Sequence, residues 1–206
     1  MSRVITYIDG FNLYFGLKSK GWRRFYWLDI HALSQQLLKT GQTLVAVKYF
    51  TSRVSATPKD PDKDRRQSAY LDALSTLPLT SCYFGHYLKK SVRCHSCGAI
   101  WDKHEEKMTD VNIAVEMLTD AYCDRFDTAL LISADSDLWA PVDRIKTLFP
   151  ARRIVAVFPP ERTSERLRST VHASFTLGRG IIAKSQLPDP VVKPDGFAIA
   201  KPTHWS

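Results

Sequence analysis

The run Ala129-Leu130-Leu131-Ile132 stops abruptly at Ser133-Ala134-Asp135-Ser136-Asp137, and an amphipathic segment follows. A short stretch that is apolar at every position, rather than at alternate ones, is buried on both faces. A strand reaches that state inside a parallel sheet covered by helices. The acidic ending then falls at the carboxyl edge of the sheet, where α/β folds bind ligands. A second ending of this kind stands near the start of the chain, where Val4-Ile5-Thr6-Tyr7-Ile8 runs into Asp9-Gly10-Phe11-Asn12.

The rest of the chain repeats the alternation. Strands are expected over residues 4–8, 44–50, 81–90, 128–132 and 153–158, with an edge strand over 174–177. Helices are expected over 29–38, capped by Asp29, over 65–77, stopped by Pro78, and over 109–122, with Val111, Ala114, Val115 and Leu118 on one face. Two more are expected over 137–148 and 164–171. Residues 52–64 read as a loop around Pro58 and Pro61. This order predicts an α/β fold, a mostly parallel central sheet between two helical layers. The domain is expected to span residues 1–180, with an insertion at about 86–106. Residues 181–206, punctuated by Pro188, Pro190, Pro194 and Pro202, are expected to form a poorly ordered tail or a docking segment.

The length of 206 residues suffices for one sizeable core. No apolar stretch approaches the ~20 residues that span a bilayer, and Asp9 interrupts the first apolar run, unlike a signal peptide. The expected location is the cytoplasm, with reduced thiols. Lysine and arginine number 29 against 21 acidic residues. Basic residues cluster at Arg23 and Arg24, at Lys89, Lys90 and Arg93, and between Arg152 and Arg168, and aromatic residues interleave with the first group. Such a surface attracts polyanions, and exposed rings can stack on unpaired bases. A solvated basic surface over core aromatics is the plainer account.

Three segments carry carboxylates that can meet: Asp9 with Asn12, Asp110 at a helix start, and Ser133 with Asp135 and Asp137. Each has a local explanation. Asp9-Gly10 suits a turn, Asp110 suits a helix dipole, and Asp135 and Asp137 suit an N-cap. Three separate explanations at carboxyl-side positions are less economical than one cation site. Magnesium needs few carboxylates because it keeps several waters. Such an ion stabilises charge on phosphate oxygens and lowers the pKa of an attacking water. Asn12 and Ser133 are expected to orient a carboxylate or water. A phosphatase of the haloacid dehalogenase type would want Asp two residues after Asp9, where Phe11 stands. No Walker-type or dinucleotide glycine loop is present, and no spacing favours a Ser-His-Asp hydrolase.

The chain resembles the NYN domain, a branch of the PIN-like nuclease superfamily, and within it the LabA-like proteins. The resemblance rests on Tyr7-Ile8-Asp9-Gly10-Phe11-Asn12-Leu13-Tyr14, on the block from Glu105 through Asp110 to Ala114, and on Ala129 through Asp137, in that order. It covers roughly residues 3–177. It implies a PIN-like sandwich and a magnesium- or manganese-dependent ribonuclease site made by Asp9, Asp110, Asp135 and Asp137. Asp137 would ligate the ion or position the attacking water, and cleavage would leave a 5′-phosphate. The implied partner is RNA, single-stranded by preference, and PIN-like proteins often form homodimers. Ala134 departs from the glycine common in the family, which is tolerable where positive φ is not needed. A non-catalytic RNA-binding or regulatory adaptor that keeps the metal site is the alternative function.

Cys94-His95-Ser96-Cys97-Gly98 forms a Cys-x-x-Cys turn. Two thiolates at this spacing can hold half of a tetrahedral zinc site. His104, His86 or His95 could complete a structural zinc, ahead of Cys82 or Cys123, which read as near-core thiols. A redox pair or two surface thiols are the competing accounts. Zinc would stiffen an excursion presenting Lys89, Lys90 and Arg93. Arg53 and Lys107 are further candidates for phosphate contact, and Trp22 or Trp27 for base contact. Trp139 reads as core.

Overall fold

The computed structural model describes residues 1–93 and 96–205, with only the backbone described for 86–92 and 101–107. A six-stranded parallel sheet forms its centre. Its strands are β1 (Ser2–Asp9), β2 (Gln42–Thr51), β3 (Thr80–Phe84), β6 (Thr128–Ile132), β7 (Arg153–Phe158) and β8 (Ala173–Thr176). They run in the order β3-β2-β1-β6-β7-β8. Between β3 and β6 the chain makes an antiparallel hairpin of β4 (His86–Arg93) and β5 (Ile100–Lys107), with Arg93 opposite Ile100.

The strand order reverses between β1 and β6. From β1 the chain moves outward through β2 to β3, and from β6 it moves the other way through β7 to β8. Side chains on β1 alternate between the two resulting cores. Val4 and Ile8 join the core under α1 (Gly10–Ser19), α2 (Ile30–Gln36), α3 (Lys63–Leu74) and α7 (Arg179–Lys184). Ile5 and Tyr7 join the core under α4 (Thr109–Tyr122), α5 (Trp139–Leu148) and α6 (Glu165–Thr170). The predicted α/β class therefore holds. Asp29 caps α2 by accepting from the Ala32 amide at 2.8 Å, and Ser164 caps α6 by accepting from Leu167 at 3.2 Å.

Four expectations need correction. The strand expected over 81–90 ends at Phe84, and Gly85 separates it from β4. The helix expected to run to Leu77 ends at Leu74, before Pro78 can act on it. The buried face of α4 is also different. Ile113, Met117, Asp120 and Ala121 face the sheet, while Val111 and Val115 are 51% and 53% exposed. Asp120 can lie inward because Tyr7 donates to it at 2.7 Å and Lys48 at 2.5 Å. Finally, of the two forms expected for the tail, residues 181–205 take the docked one and not the poorly ordered one. Ile182, Leu187, Val191, Ile199 and Trp205 are buried in the first core, and Trp27 donates its indole N–H to the Pro188 carbonyl at 2.8 Å. A few well-spaced anchors dock this tail without helical periodicity. No helix is long and apolar enough to cross a membrane among the described residues.

Candidate metal centre at the strand switch point

The site grows from the register of β1 against β6. Ile8 pairs with Ile132, so the next residues, Asp9 and Ser133, emerge side by side at the carboxyl edge. Ser133 donates its hydroxyl to Asp9 Oδ2 at 2.9 Å, and its Oγ accepts the Asp135 amide at 3.0 Å. Asp9 Oδ1 accepts the Asn12 amide at 2.9 Å and so caps α1. The Asn12 side chain spans back to β6, its Oδ1 accepting the Ala134 amide at 3.1 Å. Asn12 and Ser133 thus lock the two strand endings together. Asp9 is only 4% exposed.

Gly10 is required at the mouth of α1. A Cβ there would stand 2.5 Å from the Tyr49 ring and 2.8 Å from the Phe50 carbonyl oxygen. Ala134 is not among the residues with positive φ, so the departure from glycine leaves the loop undisturbed.

Asp110 arrives from the opposite helical layer. Met108, at φ 81, precedes α4 in the left-handed conformation. This is a strained state for a residue with a side chain, costing on the order of 1–3 kcal/mol, and such states cluster at functional sites. It places Thr109 and Asp110 in the first turn of the helix. Oxygens of Asp9, Asp110 and Asp135 all lie within 4.8 Å of one another. Burial, then the charges of Asp135, Asp9 and Asp137, push the Asp110 carboxyl up to about 6.

The three carboxylates line a cleft of about 200 Å³ with Asn12, Phe11, Phe15, Met108, Thr109 and Arg162. Arg162, from the loop after β7, was legible in the sequence only as one of a basic cluster; nothing in its spacing put it beside the acids. Asp137 stands apart from the three. It lies exposed in a 3-10 turn, Ser136–Leu138, and its amide donates to Asp135 Oδ1 at 2.9 Å. Asp135 is the cap expected of it, and Asp9 caps α1 where a turn was expected, yet neither local role is sufficient. A carboxylate offers about four lone-pair directions, and one cap bond leaves room for a cation. Oxygen-only donors crowded this closely fit a hard divalent ion.

Other expected site residues scatter. Arg23, Arg24, Arg53 and Arg93 are exposed; Arg24 lies over the Phe25 ring and Arg53 over the Phe84 ring. Trp27 is core, Trp22 packs partly buried beside it, and the half-buried Trp139 lies 3.8 Å beneath the Arg166 guanidinium. Cys82 is near-core as expected, its thiol pushed up to about 11 by burial, but Cys123 is exposed at the end of α4. Cys97 is exposed. The rest of the expected zinc site, Cys94, His95 and the side chains of His86 and His104, lies outside the described residues, as do the side chains of Lys89, Lys90 and Lys107.

The chain is 24% identical over 241 residues to 6-hydroxy-3-succinoylpyridine 3-monooxygenase HspA of Pseudomonas putida, covering 95% of this chain and 75% of that protein. It shares its fold with a protein of unknown function from Vibrio parahaemolyticus, at TM-score 0.55 and 16% identity, covering 86% of this chain and 94% of the other. The NYN domain model matches residues 3–178. By that match, and with a sheet and acidic cluster of the form it leads one to expect, the chain belongs to the NYN family of PIN-like nuclease domains.

Proposed function

We propose that this protein is a ribonuclease that hydrolyses phosphodiester bonds with a magnesium or manganese ion held by Asp9, Asp110 and Asp135. The observation that carries this reading is the convergence of three carboxylates within 4.8 Å at the carboxyl edge of the sheet, at its switch point. A divalent cation there would offset their repulsion, stabilise charge on the phosphate oxygens and acidify an attacking water. The chain's own residues do the rest. Asn12 and Ser133 hold Asp9 and the β6 loop in register. Asp137, exposed beside Asp135, orients the attacking water and takes its proton. Arg162 faces the phosphate from the far wall. No side-chain nucleophile is needed: the P–O3′ bond breaks as the water oxygen bonds to phosphorus, solvent protonates the departing 3′-oxygen, and the products carry a 5′-phosphate and a 3′-hydroxyl.

The substrate is single-stranded RNA met in the cytoplasm, drawn in by Arg23, Arg24, Arg53 and Arg93 and by the basic hairpin residues Lys89, Lys90 and Lys107. The excess of lysine and arginine supports this partner.

The test is cleavage of labelled single-stranded RNA and DNA with manganese, magnesium or EDTA, beside an Asp135→Asn/Asp137→Asn variant. Metal-dependent RNA cleavage lost in the folded variant is expected. Binding without cleavage under every condition would favour the adaptor function. Dioxygen uptake with 6-hydroxy-3-succinoylpyridine and a reduced nicotinamide or flavin as the two-electron donor, without RNA cleavage, would replace the nuclease reading with the activity named for the Pseudomonas putida relative.

A further inference from the structure

A second and larger cleft, about 570 Å³, opens on the other side of α1. Its volume falls in the roughly 300–1,000 Å³ range of small-molecule sites. Its floor is the carboxyl edge of β1 and β2, at Gly10, Tyr49 and Thr51. Its walls are α1, the 3-10 turn Arg23–Phe25, α3, and the turn Thr203–Trp205.

The lining is of two kinds. The first is aromatic: Phe11, Tyr14, Tyr26, Tyr49, Tyr70 and Trp205. Tyr14 and Tyr26 lie 5.0 Å apart between centroids, and Tyr26 meets Trp205 edge-on at 5.8 Å. The second is cationic: Lys18, Arg23, Lys63 and Arg66, against the single carboxylate Asp60. Arg66 is committed to Asp60 through bonds of 2.6 and 2.5 Å. Lys18, Arg23 and Lys63 enter no salt bridge among the described residues. Tyr49, Tyr70 and Trp205 are buried and form the base of the cleft, whereas the half-buried Phe11, Tyr14 and Tyr26 are open to stacking on a planar group; rimmed by cations able to hold an anion, they match a nucleoside phosphate rather than a neutral ligand.

Position ties this cleft to the acidic one. Phe11 lines both, and Asp9 and Gly10 are adjacent in the chain. A strand with one phosphate at the carboxylates would set a neighbouring nucleotide beside Phe11.

We infer that the cleft between α1, α3 and the 203–205 turn is a nucleotide-binding subsite, in which the aromatic lining holds a base and Lys18, Arg23 and Lys63 hold its phosphate. Its role as a substrate subsite rests on the ribonuclease reading, whereas its affinity for a nucleotide does not. The plane of the base is recognised by stacking, so several bases are accepted. The same chemistry is offered by a free nucleoside monophosphate and by a nucleotide within RNA.

The experiment is calorimetric titration of the full chain in EDTA, which leaves metal chemistry out. The probes are AMP, GMP, CMP and UMP, with ribose 5-phosphate, inorganic phosphate and a pyridine carboxylate as comparisons. At least one nucleotide is expected to bind tenfold or more tightly than every comparison. A Lys18→Glu/Arg23→Glu variant, changed only at exposed positions, should weaken that binding at least tenfold while its circular dichroism and melting stay as in the parent. Tyr14→Ala should weaken it while sparing affinity for phosphate alone.

No nucleotide binding, or binding unchanged in the charge-reversed variant, would overturn the subsite. So would a pyridine carboxylate or ribose 5-phosphate binding as well as the best nucleotide. A cleavage assay in parallel separates the two readings. Absent cleavage with intact nucleotide binding defeats the ribonuclease alone. Cleavage whose KM the charge reversal leaves unchanged defeats the substrate subsite alone, and a KM raised tenfold with kcat retained supports it.

Discussion

Replacing Lys48 with Met tests the buried network that fixes α4 to the sheet. Lys48 is 7% exposed and Asp120 fully buried. The ammonium donates to Glu116 at 2.6 Å and to Asp120 at 2.5 Å. Tyr7 donates to the same Asp120 oxygen at 2.7 Å, and Arg125 to the other at 3.1 Å. Burial opposes the charge on Lys48, but the two carboxylates outweigh it and its pKa is raised. Removing one partner of a buried pair costs about 3–5 kcal/mol, because the other charge stays behind. Arg125 still serves Asp120 and methionine keeps the packing of the stem, so the low end, about 3 kcal/mol, is expected for Lys48→Met. With an unfolding entropy of roughly 2.1 cal/mol/K per residue and 206 residues, the melting temperature should fall by about 7 °C. Urea unfolding and calorimetry in EDTA read both quantities. A Lys48→Met/Asp120→Leu cycle should show a coupling of at least ~2 kcal/mol, within the range for residues in contact. A single variant within about 1 kcal/mol of the parent would refute the argument, since it would mean that Asp120 does not need its cation.

Gly10→Ala should destabilise by about 1–3 kcal/mol, the usual cost of overpacking, because its Cβ meets backbone at Phe50 as well as the Tyr49 ring; unchanged urea unfolding would show that the close approach relaxes freely. Met108→Gly should be neutral or up to ~1 kcal/mol stabilising, as relief of the left-handed strain outweighs the entropy of glycine, and a clear loss of stability in the same assay would show the side chain matters more than its φ. Trp205→Ala should cost about 3 kcal/mol as a buried aromatic truncation, read by thermal melting; no change would mean that the 203–205 turn is not part of the cooperative unit. The metal-free protein should lose stability as pH rises from about 3.8 to about 6, because folded Asp110 keeps its proton after the unfolded chain has released it. Melting temperatures across that window should lose most of this slope in Asp110→Asn and on adding manganese; an identical slope in the variant would assign the titration elsewhere.

The sequence was most legible where burial is uniform. β6 and β7 fall where their apolar runs stand, and α4 spans its expected residues. The acidic residues were legible because each closes such a run or opens a helix. α1 was not, since Gly10 and Gly16 and its aromatics disfavour a helix by propensity. Both glycines answer to tertiary contacts instead, with Gly16 packed so that a Cβ would lie 2.7 Å from Pro159. The face of α4 was hidden for a different reason. Asp120, near its C-terminal end, lowers the apparent hydropathy of the arc that is buried, and the partners that permit the burial, Lys48, Tyr7 and Arg125, lie outside the helix. For the tail the sequence left docking and disorder as alternatives, because isolated anchors such as Val191 and Trp205 leave no period to detect.

The carboxylates are placed by means that do not depend on one another. Asp9 is fixed by the cap of α1 and the Ser133 hydroxyl, and Asp135 by its own turn. Asp110 is fixed from a distance, by the strained Met108 before it and by Glu116 and Asp120 on the same helix, which Lys48 anchors to β2. Mutual repulsion at the mouth of the cleft would drive these groups apart if α4 were free to move. The buried ion pairs hold the helix where hydrophobic packing alone would tolerate small shifts. Charge repulsion at one end of α4 is therefore opposed by charge attraction along its buried face. The acidic site and the polar core of this fold are in this sense one electrostatic arrangement, with the same helix carrying both halves.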